Sequence, residues 1–153
     1  MSENQKKIWI TGASSGIGKA LAEKFAFEGW KVAVSARRKN ILDDMASNKN
    51  ISPYQLDVTK EDQTNDVFNK IINDFGSLDL CVFSSGTYDP KLEQEINIKQ
   101  NKFVMETNFF GVLYCIKSVE KYFKDKKDGH ISIVSSIAAY RGLPNSSGYG
   151  PSK

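Results

Sequence analysis

Ile8-Trp9-Ile10-Thr11-Gly12-Ala13-Ser14-Ser15-Gly16-Ile17-Gly18 is an apolar run that breaks into three glycines and then into a helical pattern. A strand that turns at Gly12 and opens a helix at Gly16 to Gly18 aims bare backbone N–H groups and a helix N-terminus at one point, where a diphosphate can sit. Gly12 allows the tight turn, Gly16 lets the backbone approach the phosphates, and Gly18 lets the helix pack closely on the strand. Ser14, Ser15 and Ile17 complete the loop as candidate contacts to a dinucleotide. The spacing G-x-x-x-G-x-G differs from the more usual G-x-G-x-x-G, so the stretch alone also fits a tight glycine turn in any α/β protein.

The composition around this stretch suits one globular domain over residues 1–153: 40% of the residues are apolar and 25% charged, enough to bury about 70% of the unfolded surface. The net charge of +3 comes from 21 basic and 18 acidic residues spread along the chain, with no basic block beyond pairs such as Lys6-Lys7 and Lys126-Lys127. That distribution argues against nucleic acid and membrane surfaces as partners. The N-terminus has no apolar signal region, and no window approaches the ~18 apolar residues of a membrane span, so a cytoplasmic location is the expectation. Cys81 and Cys115 sit in apolar runs without metal spacing and read as buried, reduced thiols. His130 reads as structural, and no metal site is expected.

Down the chain, continuous apolar runs alternate with amphipathic stretches, the pattern of a parallel sheet covered on both faces. Strands are expected at Lys7 to Thr11, Lys31 to Ala36, Ser52 to Leu56, Leu78 to Phe83 and His130 to Ser135. The first helix runs from about Ile17 to Glu28, with Ile17, Ala20, Leu21 and Phe25 on its apolar stripe. Others cover about Ile41 to Ser47 and Glu61 to Phe75, and a long one covers Lys99 to Phe123. Tyr88 to Ile98 has no clear assignment, and Ile137 to Gly148 is a loop of turn residues. The pattern is five β-α units of a doubly wound sheet with a sixth begun.

At the end of the second strand, where an NAD site usually places an acidic residue on the ribose 2'-hydroxyl, this chain has Ala36-Arg37-Arg38. A guanidinium fork suits the 2'-phosphate of NADP, and removing Arg37 would erase most of that preference. Asp57 and Val58, after the third strand, are placed to reach the same ligand, the first by hydrogen bond and the second by apolar contact. Ser136, Tyr149 and Lys153 are the candidates for chemistry, although each alone also fits an ordinary loop, core or surface residue. On one helix the i, i+4 spacing of Tyr149 and Lys153 puts phenol and ammonium on the same face, where the positive charge favours proton release. Ser136 would hydrogen-bond the substrate oxygen as its charge changes. Pro151 is tolerated in a first turn if that helix starts between about Ser146 and Gly148.

Together these motifs resemble the short-chain dehydrogenase/reductases, in the NADP-preferring form typical of carbonyl reductases. Thr11-Gly12-Ala13-Ser14-Ser15-Gly16-Ile17-Gly18 is similar to the family's glycine motif, Leu56-Asp57-Val58 to its adenine-side motif, and Thr107-Asn108-Phe109-Phe110-Gly111 to its helix asparagine motif. Ile133-Val134-Ser135-Ser136 and Tyr149-Gly150-Pro151-Ser152-Lys153 resemble its active-site serine and Y-x-x-x-K. The resemblance implies a Rossmann-type three-layer α/β/α fold and hydride transfer between NADP(H), rather than NAD(H), and a carbonyl or alcohol substrate. It implies that Tyr149 passes the proton, Lys153 binds the nicotinamide ribose, Ser136 positions the carbonyl and Asn108 holds a water in the proton relay. The family's Asn-Asn-Ala-Gly stands here as Phe83-Ser84-Ser85-Gly86, so Ser84 and Gly86 are expected to take over part of its role. The family also continues past Y-x-x-x-K through further strands, and it usually pairs through its fourth and fifth helices, so a homo-oligomer is expected of a full-length form. The alternative reading of the 153 residues is a truncated, non-catalytic nucleotide-binding fragment or a redox-sensing interaction module.

Overall fold

The computed structural model describes residues 5–153. In chain order these form β1 (Lys7–Thr11), α1 (Gly16–Phe27), β2 (Lys31–Ala36), α2 (Lys39–Met45), β3 (Ile51–Gln55), α3 (Glu61–Phe75), β4 (Leu80–Phe83), α4 (Ile98–Met105), α5 (Gly111–Lys126) and β5 (His130–Ile133). A π-helical turn, Glu106–Phe110, joins α4 to α5, and short 3-10 turns cover Ile137–Ala139 and Gly150–Ser152. The strands make one parallel sheet in the order β3-β2-β1-β4-β5. This is the doubly wound, Rossmann-type arrangement, and it reverses direction between β1 and β4, where open α/β sheets hold their ligands.

The continuous apolar strands arise because both faces of the sheet are covered. On β1, Trp9 points to one core with Leu56, Phe68, Ile71, Phe83 and Val119. Its neighbours Ile8 and Ile10 point to the other, with Ala22, Val32, Val34 and Leu42. Trp9 is fully buried, packs edge-on to Phe83, and gives its indole N–H to Ser35 Oγ at 2.9 Å. A large ring is thus buried with its one polar group satisfied. Cys81 and Cys115 lie in the first core as free, buried thiols, their pKa values pushed up by burial. Pro53 lies in β3, at one edge of the sheet, where its missing N–H breaks no ladder.

Three expectations need correction. The buried residues of α1 are Gly18, Ala22 and Ala26, flanked by the partly buried Leu21 and Phe25, while Ile17 is 58% exposed. The stripe is rotated toward Gly18, which lies against the Gly12 backbone of the β1–α1 loop with no room for a side chain. The long helix is interrupted by the π turn, which widens one turn by a residue and swings Thr107 and Asn108 inward to buried positions. β4 and β5 are shorter than expected, starting at Leu80 and ending at Ile133 respectively.

At the sheet's opposite end from the ligand side, Asp79 ties four segments together. Its carboxylate accepts from the Lys7 backbone N–H and from Lys126 Nζ of α5, both at 2.9 Å, and its carbonyl accepts from the N–H of His130. Burial alone would raise the Asp79 pKa, but the Lys126 and Lys7 hydrogen bonds outweigh it and hold the carboxyl below its usual range. Its stabilising contribution is therefore present above the unfolded carboxylate value, about 3.9, and is lost as pH falls through the lower folded value. Asp79→Asn should cost about 1 kcal/mol at pH 7, a modest figure because the carboxyl stays partly open to water. Denaturant unfolding should show the difference between the two proteins shrinking below about pH 4.

Candidate active site

The C-terminal ends of the strands surround a cavity of about 530 Å³, within the roughly 300–1,000 Å³ range of ligand sites. Its floor is the β1–α1 loop, where Gly12 and Gly16 take positive φ angles of 69° and 55°. A Cβ on Gly12 would stand 2.7 Å from the Ser84 carbonyl oxygen, and one on Gly18 would stand 2.5 Å from the Gly12 carbonyl oxygen. Both obstacles are backbone and cannot swing away. The loop is thus wedged between α1 and the end of β4, leaving Ser15, Gly16 and Ile17 exposed at the helix start. A helix N-terminus with glycine clearance is a built cradle for phosphate.

The basic end of β2 closes one side. Arg38 reaches across to the loop, its Nη2 donating to Ser14 Oγ and to Ser15 Oγ at 2.9 Å and its Nε donating to Ser14 Oγ at 3.2 Å. Arg37 also lines the cavity, but the contact that it makes is through its backbone, the carbonyl accepting from Gln55 Nε2. Both arginines that the sequence singled out line the cavity, and it is the Arg38 side chain that reaches the glycine loop. Asp57 lines the same side with one carboxylate oxygen engaged in a local turn, accepting from the Thr59 N–H at 3.1 Å and hydroxyl at 2.8 Å. Val58 touches the helical motif behind it: a Cβ on Gly111 would stand 2.7 Å from Val58 Cγ2, so the glycine of Thr107–Gly111 is what lets α5 approach this loop. Thr107 itself is buried beside the cavity with no hydrogen-bond partner for its hydroxyl among the described residues. These clearances, a guanidinium over two hydroxyls and an unused buried hydroxyl fit a phosphorylated dinucleotide.

On the far side, Tyr149 and Lys153 line the cavity with Ser84 and Gly86. They do not share an α-helix. Gly150 gives its N–H to the Ser146 carbonyl four residues back, but the bonds that follow reach back only three, from the Ser152 N–H to the Tyr149 carbonyl and from the Lys153 N–H to the Gly150 carbonyl. Tyr149, just before this 3-10 turn, keeps αR backbone angles, and its side chain and that of Lys153 line the same cavity. The Lys153 ammonium donates to the Val134 carbonyl at 2.8 Å, half-buried, and burial holds its pKa below the ordinary lysine value. It lies beside the β4 loop, 3.5 Å from where a Cβ on Gly86 would be.

Asn108 joins the two sides. Its side-chain oxygen accepts from the Thr87 N–H at 2.7 Å, and its Nδ2 donates at 2.9 Å to the Thr87 carbonyl and to Ser152 Oγ. Ser152 in turn donates to the Tyr149 carbonyl at 2.7 Å. Asn108 is thus buried behind the cavity wall, in contact with the tyrosine's own turn. Ser136 caps the Ile137–Ala139 turn by accepting from the Ala138 N–H at 3.2 Å. The serine on the cavity wall is its neighbour Ser135, just after β5, whose hydroxyl donates to the Lys153 carbonyl. Sequence reasoning missed Ser152, although its position three residues after Tyr149 was a usable signal. It also missed Tyr88, whose ring stacks on that of Tyr149 with centroids 4.3 Å apart.

Residues 6–153 match the family model described as short chain dehydrogenase. The chain is 36% identical over 155 residues to 11-beta-hydroxysteroid dehydrogenase 1A of Arabidopsis thaliana, covering 97% of this chain and 44% of the relative. It is 32% identical to the Dehydrogenase/reductase SDR family protein 7-like of Dictyostelium discoideum, covering 99% and 52%. Among solved structures, ElxO with NADP bound superposes with a TM-score of 0.86 at 33% identity, covering 97% of this chain and 62% of that one. A short-chain dehydrogenase from Streptomyces avermitilis gives a TM-score of 0.91 at 27% identity, covering 99% and 57%. The chain thus spans about half the length of these curated relatives. With the match running through the glycine cradle, Asn108 and the Tyr149–Lys153 turn, the chain belongs to the short-chain dehydrogenase family.

Proposed function

We propose that the protein is an oxidoreductase that uses NADP(H) to interconvert a carbonyl and an alcohol. The observation that carries this reading is one cavity bounded on one side by Arg38 over Ser14 and Ser15, and on the other by Tyr149 and Lys153. Gly12 to Ile17 hold the diphosphate against the start of α1, and Arg38 gives its guanidinium to the 2'-phosphate, with Arg37 adding positive charge. Asp57, Val58 and Thr107 line the adenosine side, while Ser84, Gly86 and Lys153 line the side of the reacting ring. When bound beside Ser84, Gly86 and Lys153, a nicotinamide would supply the hydride chemistry for either direction of the reaction.

The chain's own residues handle the proton and the geometry. Tyr149 gives its phenolic proton to the carbonyl oxygen during reduction and recovers it during oxidation, so the charge on oxygen never builds up. Lys153 adds a cation beside that exchange, its charge destabilised by burial and so less tightly held than a surface lysine's. Ser136 keeps its hydroxyl proton available for the substrate oxygen while its lone pair caps the following turn. Asn108 fixes the turn that carries Tyr149 through Ser152. The substrate is a small molecule, and pairing of two copies through the long helix is supported by the exposure of Phe109, Phe110 and Leu113 at 41–42%.

Titration of the protein with both nucleotides tests the cofactor. NADPH should bind more tightly than NADH, and Arg38→Ala should remove about tenfold or more of the NADPH affinity while leaving NADH little changed. Arg37→Ala should have the smaller effect, and equal affinities in the unsubstituted protein would refute the assignment. Steady-state turnover with a panel of carbonyl compounds tests the chemistry. Tyr149→Phe should lower kcat by roughly 10²–10⁴-fold while NADPH binding persists, and retained turnover would remove Tyr149 from the proton-transfer role.

A further inference from the structure

Glu93 lies in the stretch between β4 and α4 whose residues sequence reasoning could not place. It is only 2% exposed, and its carboxylate Oε2 accepts from the backbone N–H of Gly148 at 2.9 Å and of Tyr149 at 3.0 Å. Its other oxygen, Oε1, is buried with no hydrogen-bond partner among the described residues. Burying a carboxylate is costly, and leaving one of its oxygens unpaired adds to the cost. A turn that needed only a cap would ordinarily take one from a serine or aspartate within itself. Ser146 stands close by for that task, yet its hydroxyl donates the other way, to the Leu143 carbonyl.

Neighbouring contacts press on the same few atoms. Gly148 has no room for a side chain, since a Cβ there would stand 2.9 Å from Asn101 Oδ1 and 3.0 Å from Asn101 Cα. Tyr88 stacks on the Tyr149 ring and donates its hydroxyl to the Asn145 carbonyl at 3.0 Å. The Glu93 carboxyl is the buried acid group in this set, and its bond to the Tyr149 N–H bears on that residue's own backbone.

We propose that Glu93 is a positioning residue for Tyr149. This inference rests on the proton-transfer role given to Tyr149 above. By holding the amides of residues 148 and 149 from the β4–α4 loop, Glu93 sets where the phenol stands in the cavity. It therefore governs kcat and leaves cofactor affinity alone. Displacing a reacting group by about 1 Å is enough to cost on the order of 10²-fold in rate.

The test compares Glu93→Ala, Glu93→Gln and Glu93→Asp with the unsubstituted protein, reading turnover, NADPH affinity and backbone amide hydrogen exchange. Glu93→Ala should lower kcat by about tenfold to a hundredfold with NADPH affinity held within about twofold. Its amides at Gly148 and Tyr149 should exchange about tenfold faster or more, while those of Ile10 and Val34 in the sheet keep their rates. Glu93→Gln, which retains one acceptor oxygen at the same reach, should recover most of the kcat. Glu93→Asp, too short by one methylene, should not. Unchanged kcat and unchanged exchange at 148 and 149 in Glu93→Ala would overturn the proposal. So would a loss that speeds exchange equally in the sheet, because that marks general destabilisation. Should Glu93→Ala fail to fold, the Gln and Asp variants carry the same comparison. If the unsubstituted protein turns over no carbonyl compound, the functional reading fails separately, and exchange at residues 148 and 149 alone decides whether Glu93 holds that turn.

Discussion

The structure depends on how closely three backbone segments approach one another at the point where the sheet reverses direction. Gly12 sits against the Ser84 carbonyl and Gly18 against the Gly12 carbonyl, at separations where even a methyl group would stand 2.7 Å and 2.5 Å from main-chain oxygen. Real side chains do not tolerate such contacts, so glycine at both positions is a condition for α1, β1 and β4 to converge. That convergence leaves the N-terminus of α1 aimed into the crevice between β1 and β4. Every other feature of the site, from Arg38 on one side to Tyr149 on the other, is arranged around the opening it creates.

A second close approach couples the two sides of the cavity to the helix behind them. Gly111 brings α5 against Val58, and the π turn just before it turns Thr107 and Asn108 inward. Asn108 then hydrogen-bonds to Thr87 of the β4 loop and to Ser152 of the tyrosine turn. The Arg38 side and the Tyr149 side of the cavity are consequently braced by the same helical segment. Glu93 and Tyr88 add a brace from the β4–α4 loop, so the tyrosine turn is held from several directions although it is only a short 3-10 element.

Much of this was legible in the chain, and the parts that were not have physical reasons. The five strands, the glycine turn and the covering helices follow from local patterns of apolar and turn residues, and the structure reproduces their order, with β4 and β5 shorter and the long helix interrupted. The buried face of α1 was misread because hydrophobicity favoured Ile17 and Ala20, whereas packing distance favoured Gly18 and Ala22. Arg37 and Arg38 are equivalent as letters; which side chain reaches Ser14 and Ser15 is settled by where the chain turns after β2. Tyr149 and Lys153 have α-helical spacing, but the backbone bonds from Ser152 and Lys153 reach back three residues and make a 3-10 turn. Glu93 was illegible for another reason. Its partners, Gly148 and Tyr149, lie 55 and 56 residues away in sequence, and no local periodicity reports a contact of that range.

The central claim is that the strand-end cavity is a dinucleotide site built on the glycine loop, and a backbone amide map of the protein titrated with NADPH tests it most directly. The account predicts saturable shifts concentrated at Gly12 to Gly18, Arg38, Asp57, Val58 and Ser84 to Gly86, with residues at the Asp79 end of the sheet unmoved. Shifts that fall elsewhere, or no saturable shift in the glycine loop, would contradict it.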